Sequence, residues 1–285
     1  QLVDHPSLDA IRLGILEGLT ENGFKEGENL TVIFENAQGN STTAAQIAKK
    51  FASLTLDAIV PITTPSTQAI VNQVKKTPII FAAVSDPLGA KIVSSLQHPG
   101  HNVTGVADIP PVEQQLNFLL SCLPDIKKLG VIYNPGEANA VAFLEKLKPL
   151  AKEKNIEIIT AAAPKSVNVS EAAQSLVNNV EAFFIGNDNT VVSGLEALVK
   201  TCLEAKKPLF MSDPDSVERG ALAAYAYDQR QIGKQVGSMV AKVLKGNNPG
   251  EMAVEIPTEL KLTINPHTAE KLKVTCEQAV ALEEK

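Results

Sequence analysis

Along the chain, short unbroken apolar runs alternate with longer stretches in which apolar residues return every three or four positions. The first pattern predicts strands and the second predicts helices. The expected strands are Leu30–Phe34, Asp57–Ile62, Pro78–Val84, Val103–Val106, Lys128–Tyr133, Ile156–Ala161, Ala182–Ile185 and Pro208–Met211. A further apolar strand, Ala221–Ala226, ends at Tyr227. The expected helices include Leu8–Asn22, Ala44–Ser53, Glu113–Cys122, Ala138–Lys154 and Leu195–Ala205. Strictly alternating elements of this kind predict βαβ units, parallel sheets and an α/β fold. Ser7 is the expected cap of the first helix, with Asp9 placed in its first turn where a carboxylate suits the helix dipole.

The pattern repeats weakly. VDHPSLDA near Pro6 echoes IYNPGEANA near Pro135, and DAIVPITTP from Asp57 echoes EAFFIGNDN from Glu181. TPIIFAAVSDP from Thr77 echoes KPLFMSDP from Lys207. The three echoes come in one order at an offset of roughly 125 residues, which predicts two lobes of like topology. In each echo an apolar strand leads into a polar loop, and such loops sit at the carboxyl ends of strands, where open α/β sheets bind ligands. Two facing lobes would bring both loop sets to one cleft.

The N-terminal set is His5, Gln38, Thr63, Thr64, Ser85 and Asp86. The C-terminal set is Tyr133, Asn134, Glu137, Asn139, Asp188, Asn189 and Asp213. Asp86 and Asp213, each before a proline, suit helix capping and ligand contact equally. Asp188 points more to ligand contact, because Asn189 and Thr190 follow it and can cap. His5 is either a hydrogen-bonded structural residue or a contact. Tyr133 and Tyr227 can pack on an apolar or aromatic ligand group. Acids outnumber bases here: Asp86, Glu137, Asp188, Asp213 and Asp228 against His5, Arg219 and Arg230. That balance suits a ligand ammonium and disfavours a phosphate. A ligand carboxylate would find hydroxyl donors in Thr63, Thr64 and Ser85 beside helix N-termini.

Composition narrows the picture further. A length of 285 residues suits about two domains. Apolar residues at 44% and charged ones at 20% are an ordinary globular balance. The net charge of −6 argues against nucleic-acid partners. No apolar run approaches the ~20 residues of a membrane span. The opening Gln1-Leu2-Val3 reads as a processed or trimmed N-terminus that has lost the start of its first strand. Cys122, Cys202 and Cys276 lack metal-ligand spacing and are expected as buried or free thiols, with one disulfide left open. No metal or cofactor is expected. Sequons at Asn29, Asn40, Asn102 and Asn168 matter only in a eukaryotic secreted setting. The chain carries no G-x-G-x-x-G after the first strand, no Walker motif, no H-E-x-x-H and no nucleophile elbow, so no catalytic residue is assigned.

HPSLDA, NAQGN, TTPSTQA, AAVSDPLGA, NVTGVAD, YNPGEAN, NDNTV and the tail GKQVGSMVAKVLKG with IPTELKLTINP carry a family resemblance. From Val3 to about Leu272 the chain resembles the periplasmic components of bacterial ABC transport systems that include tryptophan- and other aromatic-amino-acid-binding proteins. The resemblance implies a type I periplasmic-binding-protein fold, two doubly wound lobes joined by three crossovers near Asp108, Tyr227–Asp228 and Thr258. The lobes would then be 1–107 with 228–257, and 108–227 with 258–285. It also implies a periplasmic or extracytoplasmic receptor, a monomer, which delivers an amino acid to ABC permease subunits and is anchored, if at all, as a lipoprotein. The competing functions are a ligand-sensing receptor domain on the same fold, a hydrolase or isomerase on doubly wound lobes, and the effector domain of a transcription factor.

Overall fold

The computed structural model describes residues 1–276, and the chain divides into two compact units. Unit 1 takes Gln1–Ile109 and Tyr227–Glu259, and unit 2 takes Pro110–Ala226 and the chain from Leu260 on. The chain therefore passes between the units three times. Unit 1 opens with α1 (Pro6–Glu21), α2 (Ser41–Ser53), α3 (Thr64–Gln73), β1 (Ile79–Val84) and β2 (Val103–Ala107). Unit 2 continues with α4 (Val112–Cys122), β3 (Lys128–Tyr133), α5 (Ala138–Glu153), β4 (Glu157–Ala162) and α6 (Val169–Leu176). Then come β5 (Ala182–Ile185), α7 (Asn189–Ser193), α8 (Leu195–Glu204), β6 (Leu209–Met211), α9 (Asp215–Glu218) and β7 (Ala223–Tyr227). α10 (Gln229–Leu244) returns to unit 1, while β8 (Leu260–Ile264) and α11 (Pro266–Leu272) belong to unit 2.

Unit 2 holds a six-stranded sheet in the order β4-β3-β5-β6-β7-β8, and its first five strands pair in parallel. Its central strands β5 and β6 read as unbroken apolar runs because both faces are covered, while the edge strands β4 and β8 stay partly exposed. Phe183 and Ile185 of β5 enter one core with α6 and α8, while Ala182 and Phe184 enter the other with α4 and α5. On that second face Phe143 meets Phe184 edge-on at 5.0 Å and Phe118 meets Phe210 at 6.1 Å. The strand order reverses direction between β3 and β5. That reversal is a topological switch point, which leaves a crevice outside the carboxyl ends of the two strands.

In unit 1, β1 and β2 pair in parallel with a bulge at Ala83, whose φ is 54°. Ile59 and Ile62 join β1 as isolated parallel bridges, and Glu255 joins β2 in the same way. Two expected strands are corrected here. Asp57–Ile62 contributes only those bridges, and Leu30–Phe34 forms no strand. Both segments line a groove of about 830 Å³ instead of pairing with each other. A ladder needs strands about 4.8 Å apart. Val32, Ile33 and Phe34 stay partly exposed, and the Arg12 guanidinium lies 4.9 Å over the Phe34 ring.

Two local expectations change. His5, not Ser7, caps α1: its Nδ1 accepts the Ser7 N–H at 3.2 Å, and Pro6 takes the first helical position. Cys122 and Cys276 form a disulfide, which corrects the expectation of thiols at those positions. Cys202 is a buried free cysteine, and burial pushes its thiol pKa up to about 12.

α1 and α10 bind the two sequence-distant parts of unit 1 together through glycines. A Cβ on Gly14 or Gly18 would run into the carbonyl oxygens of Arg230 and Lys234. One on Gly233 or Gly237 would run into those of Ile11 and Ile15. The backbones touch because four side chains are missing, and salt bridges from Glu17 to Arg230 and from Glu21 to Lys234 flank the seam. In an exposed helix Gly→Ala is favourable by ~1 kcal/mol. Here the sign inverts. Gly14→Ala is expected to destabilise the protein by ~1–3 kcal/mol through overpacking, read as a lowered denaturant midpoint. A midpoint at or above wild type would rule out this backbone contact.

Candidate functional site

The crevice at the β3–β5 switch point is filled by a polar cluster. β3 ends at Tyr133 and leads to Asn134, Glu137 and Asn139, and β5 leads to Asp188, Asn189 and Thr190. Glu137, Asn139 and Asp188 are buried. Asp188 accepts the Asn134 N–H at 2.6 Å and the Val191 N–H at 2.9 Å. Glu137 accepts from the Thr190 N–H and hydroxyl on one oxygen, at 3.0 and 2.7 Å. Its other oxygen accepts from Asn139 Nδ2, the Asn189 N–H and Asn189 Nδ2, at 3.0, 3.2 and 2.6 Å. Asn139 Nδ2 also reaches the Asn187 carbonyl at 2.6 Å, while its Oδ1 is buried without a partner. Asp188, not Asn189 or Thr190, is the cap of α7, so the premise that its neighbours would free it from capping is corrected.

In unit 1 the polar side chains likewise follow strands. Thr63, Thr64, Ser85 and Asp108 are all buried. The Thr63 N–H donates to Ala82 O and the Asp108 N–H to Val84 O, both at 3.0 Å. Thr63 precedes α3 with φ 85° and ψ 161°, and its side chain makes no capping bond. That backbone region is nearly reserved for glycine and costs a threonine ~1–3 kcal/mol. The Thr63 and Thr64 hydroxyls are buried without partners, each a further loss of ~1–3 kcal/mol. Asp108 is a candidate that the sequence pattern marked only as a lobe boundary. The signal was present, since it follows an apolar strand just as Ser85 does.

The remaining expected residues are more local. Gln38, exposed with φ 53°, donates from Nε2 to Asp4 at 3.1 Å. Asp86 accepts the Gly89 N–H at 2.9 Å, and Asp213 accepts the Ser216 N–H at 3.2 Å, so both cap turns. Tyr133 is half-buried and Tyr227 buried. The two arginines turn to acids of their own unit: Arg219 to Glu196 and Arg230 to Glu17.

Burial first, and then the Glu137 charge, raises the Asp188 carboxyl pKa from 3.8 to about 7, against its hydrogen bonds from Val191 and Asn134. The unfolded chain releases this proton near the ordinary aspartate value, whereas the folded chain keeps it to about pH 7. Across that window the folded state binds more proton, so this group's contribution to stability falls as pH rises from about 4 to 7. Asp188→Asn is expected to flatten the profile. Denaturant melts at half-unit pH steps would show it, and an unchanged slope would mean that Asp188 ionises at an ordinary pH.

The model of the family described as ABC transporter substrate binding protein matches residues 1–284. A tyrosine-binding protein of Clostridioides difficile is 37% identical over 272 residues, covering 95% of this chain and 79% of the relative. A conserved domain protein from Vibrio cholerae has a crystal structure with TM-score 0.96 and 43% identity, covering 99% of this chain and 95% of that one. An ABC domain from Streptococcus pneumonia in complex with L-Trp has TM-score 0.95 and 34% identity, covering 99% and 96%. The two-unit architecture is that of the periplasmic binding proteins. Matched over nearly its whole length in both sequence and fold, the chain belongs to the ABC transporter substrate-binding protein family.

Proposed function

We propose that this solute-binding protein is the extracytoplasmic receptor of an ABC importer and that its ligand is a zwitterionic amino acid, aromatic in preference. One observation carries the reading. Two relatives above 30% identity and aligned over nearly the whole chain are each named for an aromatic amino acid, tyrosine in one and L-Trp in the other. The chemistry of each unit supports it separately. Unit 1 offers hydroxyls and a helix start, which suit a carboxylate. Unit 2 offers the unused acceptor of Asn139 beside two buried carboxylates that are hydrogen-bonded within the unit, a setting that suits an ammonium better than an anion. Tyr133 and Tyr227 supply aromatic faces. Both arginines are held in ion pairs, which weighs against a phosphorylated ligand. In this reading the partners are ABC permease subunits.

A thermal-shift screen of amino acids, sugars and phosphorylated metabolites tests it. An amino acid present at about 100 times its Kd should stabilise the native state by ~2.7 kcal/mol. Aromatic amino acids are expected to give the largest shifts. A panel in which sugars or phosphates raise the melting temperature and no amino acid does would overturn the reading.

A further inference from the structure

We infer that the groove of unit 1 is the slot of one further β-strand, parallel to the segments on either side of it, and that the polypeptide joined directly ahead of Gln1 is the strand that fills it. The inference goes beyond the ligand reading above and does not depend on it.

Segments 30–35 and 55–60, with Ile62, line the groove. Successive residues of an extended chain turn their backbone groups to opposite sides. Ile59, Pro61 and Thr63 spend theirs on β1. The Ile59 N–H donates to Pro78 O at 2.8 Å, Pro61 O accepts the Ala82 N–H at 2.9 Å, and the Thr63 N–H donates to Ala82 O at 3.0 Å. Val60 and Ile62 therefore turn their backbone groups away from β1. Among the described residues, neither these two nor residues 31–34 make a backbone–backbone hydrogen bond. Two facing rows of unpaired backbone are a template for a strand. An apolar small molecule can fill such a groove but satisfies neither row, whereas one extended segment satisfies both.

The first rungs of the ladder already exist. The Gln1 nitrogen donates to Glu35 O at 2.8 Å, and the Ala37 N–H donates to Gln1 O at 3.0 Å. The Gly39 N–H donates to Leu2 O at 2.8 Å. These bonds set Gln1 opposite Asn36 in parallel. Gln1 also lines the groove. Backwards from Gln1, the same ladder runs past Phe34 and Val32, with the backbone groups of Ile33 and Glu35 turned towards it.

The slot dictates the chemistry of its occupant. Ile15 and Leu16 of α1, Phe51 of α2, and Val240 and Val243 of α10 line it. A strand bonded on both edges and covered by helices reads as an apolar run without proline. About five or six residues are needed. Filling the slot makes strands of Leu30–Phe34 and Asp57–Ile62, which already have strand-like composition. It also anchors the loop that carries His5, the cap of α1.

The test compares the chain that begins at Gln1 with the chain that keeps its own upstream residues, by hydrogen exchange and denaturant melts. The longer chain should show a higher midpoint and roughly tenfold or more slower exchange at the amides of Ile33, Glu35, Val60 and Ile62. A proline placed at the centre of the upstream run should return both readings to those of the shorter chain, because it removes a ladder donor. Equal exchange of these four amides in the two chains would overturn the inference. An upstream run that is charged or broken by proline would overturn it too. So would slowing that scales with protein concentration, since a second copy would then be the occupant. None of these readings involves a ligand, so the amino-acid reading stands or falls separately in its own screen.

Discussion

Parallel hydrogen bonding, β1 to β2 in one unit and β3 to β4 and β5 in the other, sends successive strands out of their sheet at the same edge. Helices begin at that edge too, each with amides that lack an intrahelical partner. The edge is thus a dense row of polar backbone, and the residues there must either satisfy it or leave it for a ligand. His5, Asp188 and Asp228 do the first, each accepting an N–H of the helix that follows. α3 has a buried start without a side-chain cap, and the buried Thr63 and Thr64 hydroxyls beside it have no partner.

Much of this was legible in the sequence. β3 and β5 have the bounds that their apolar runs predict, and the starts and ends of α4, α5 and α8 fall within about a residue or two of expectation. Strands covered on both faces and helices with one apolar stripe leave strong patterns. α3 did not stand out, because Thr64–Gln73 opens with small polar residues and its apolar positions are few. Leu30–Phe34 misled for the opposite reason. Its composition is strongly strand-like, but a strand exists only where a neighbour completes the ladder, and here the segment lines a groove. Sequence spacing also could not join Cys122 to Cys276, since that pairing depends on where unit 2 returns the chain after β8.

The candidate site was legible as residue types and not as roles. Asp, Asn, Ser and Thr after a strand serve equally as caps and as ligand contacts, and sequence does not separate the two. Geometry does. Glu137 spends both oxygens on five donors from its own unit. It therefore welds the loops after β3 and β5 into one piece, and its position one residue before α5 gives no hint of that. Asp188 is likewise spent on Val191 and Asn134. Thr63 and Thr64, which look less reactive on paper, retain the unused capacity.

The two units thus resolve the same constraint differently. In unit 2 burial, and then the Glu137 charge, raises the Asp188 pKa, and the cluster meets this with donors from its own loops. In unit 1 the chain holds a threonine in a glycine conformation and buries two hydroxyls without partners, which are uncompensated costs of the folded state. Burial of β1, where Ile79, Ile80, Phe81 and Ala82 are all fully covered, together with the glycine seam of α1 and α10, holds that strained edge in place. A ligand that supplies the missing acceptor recovers the hydrogen bonds without reordering the chain, because the donors are already fixed. Under the reading proposed above, an acceptor at the unsatisfied edge of unit 1 has more free energy to gain than one at the internally paired cluster of unit 2.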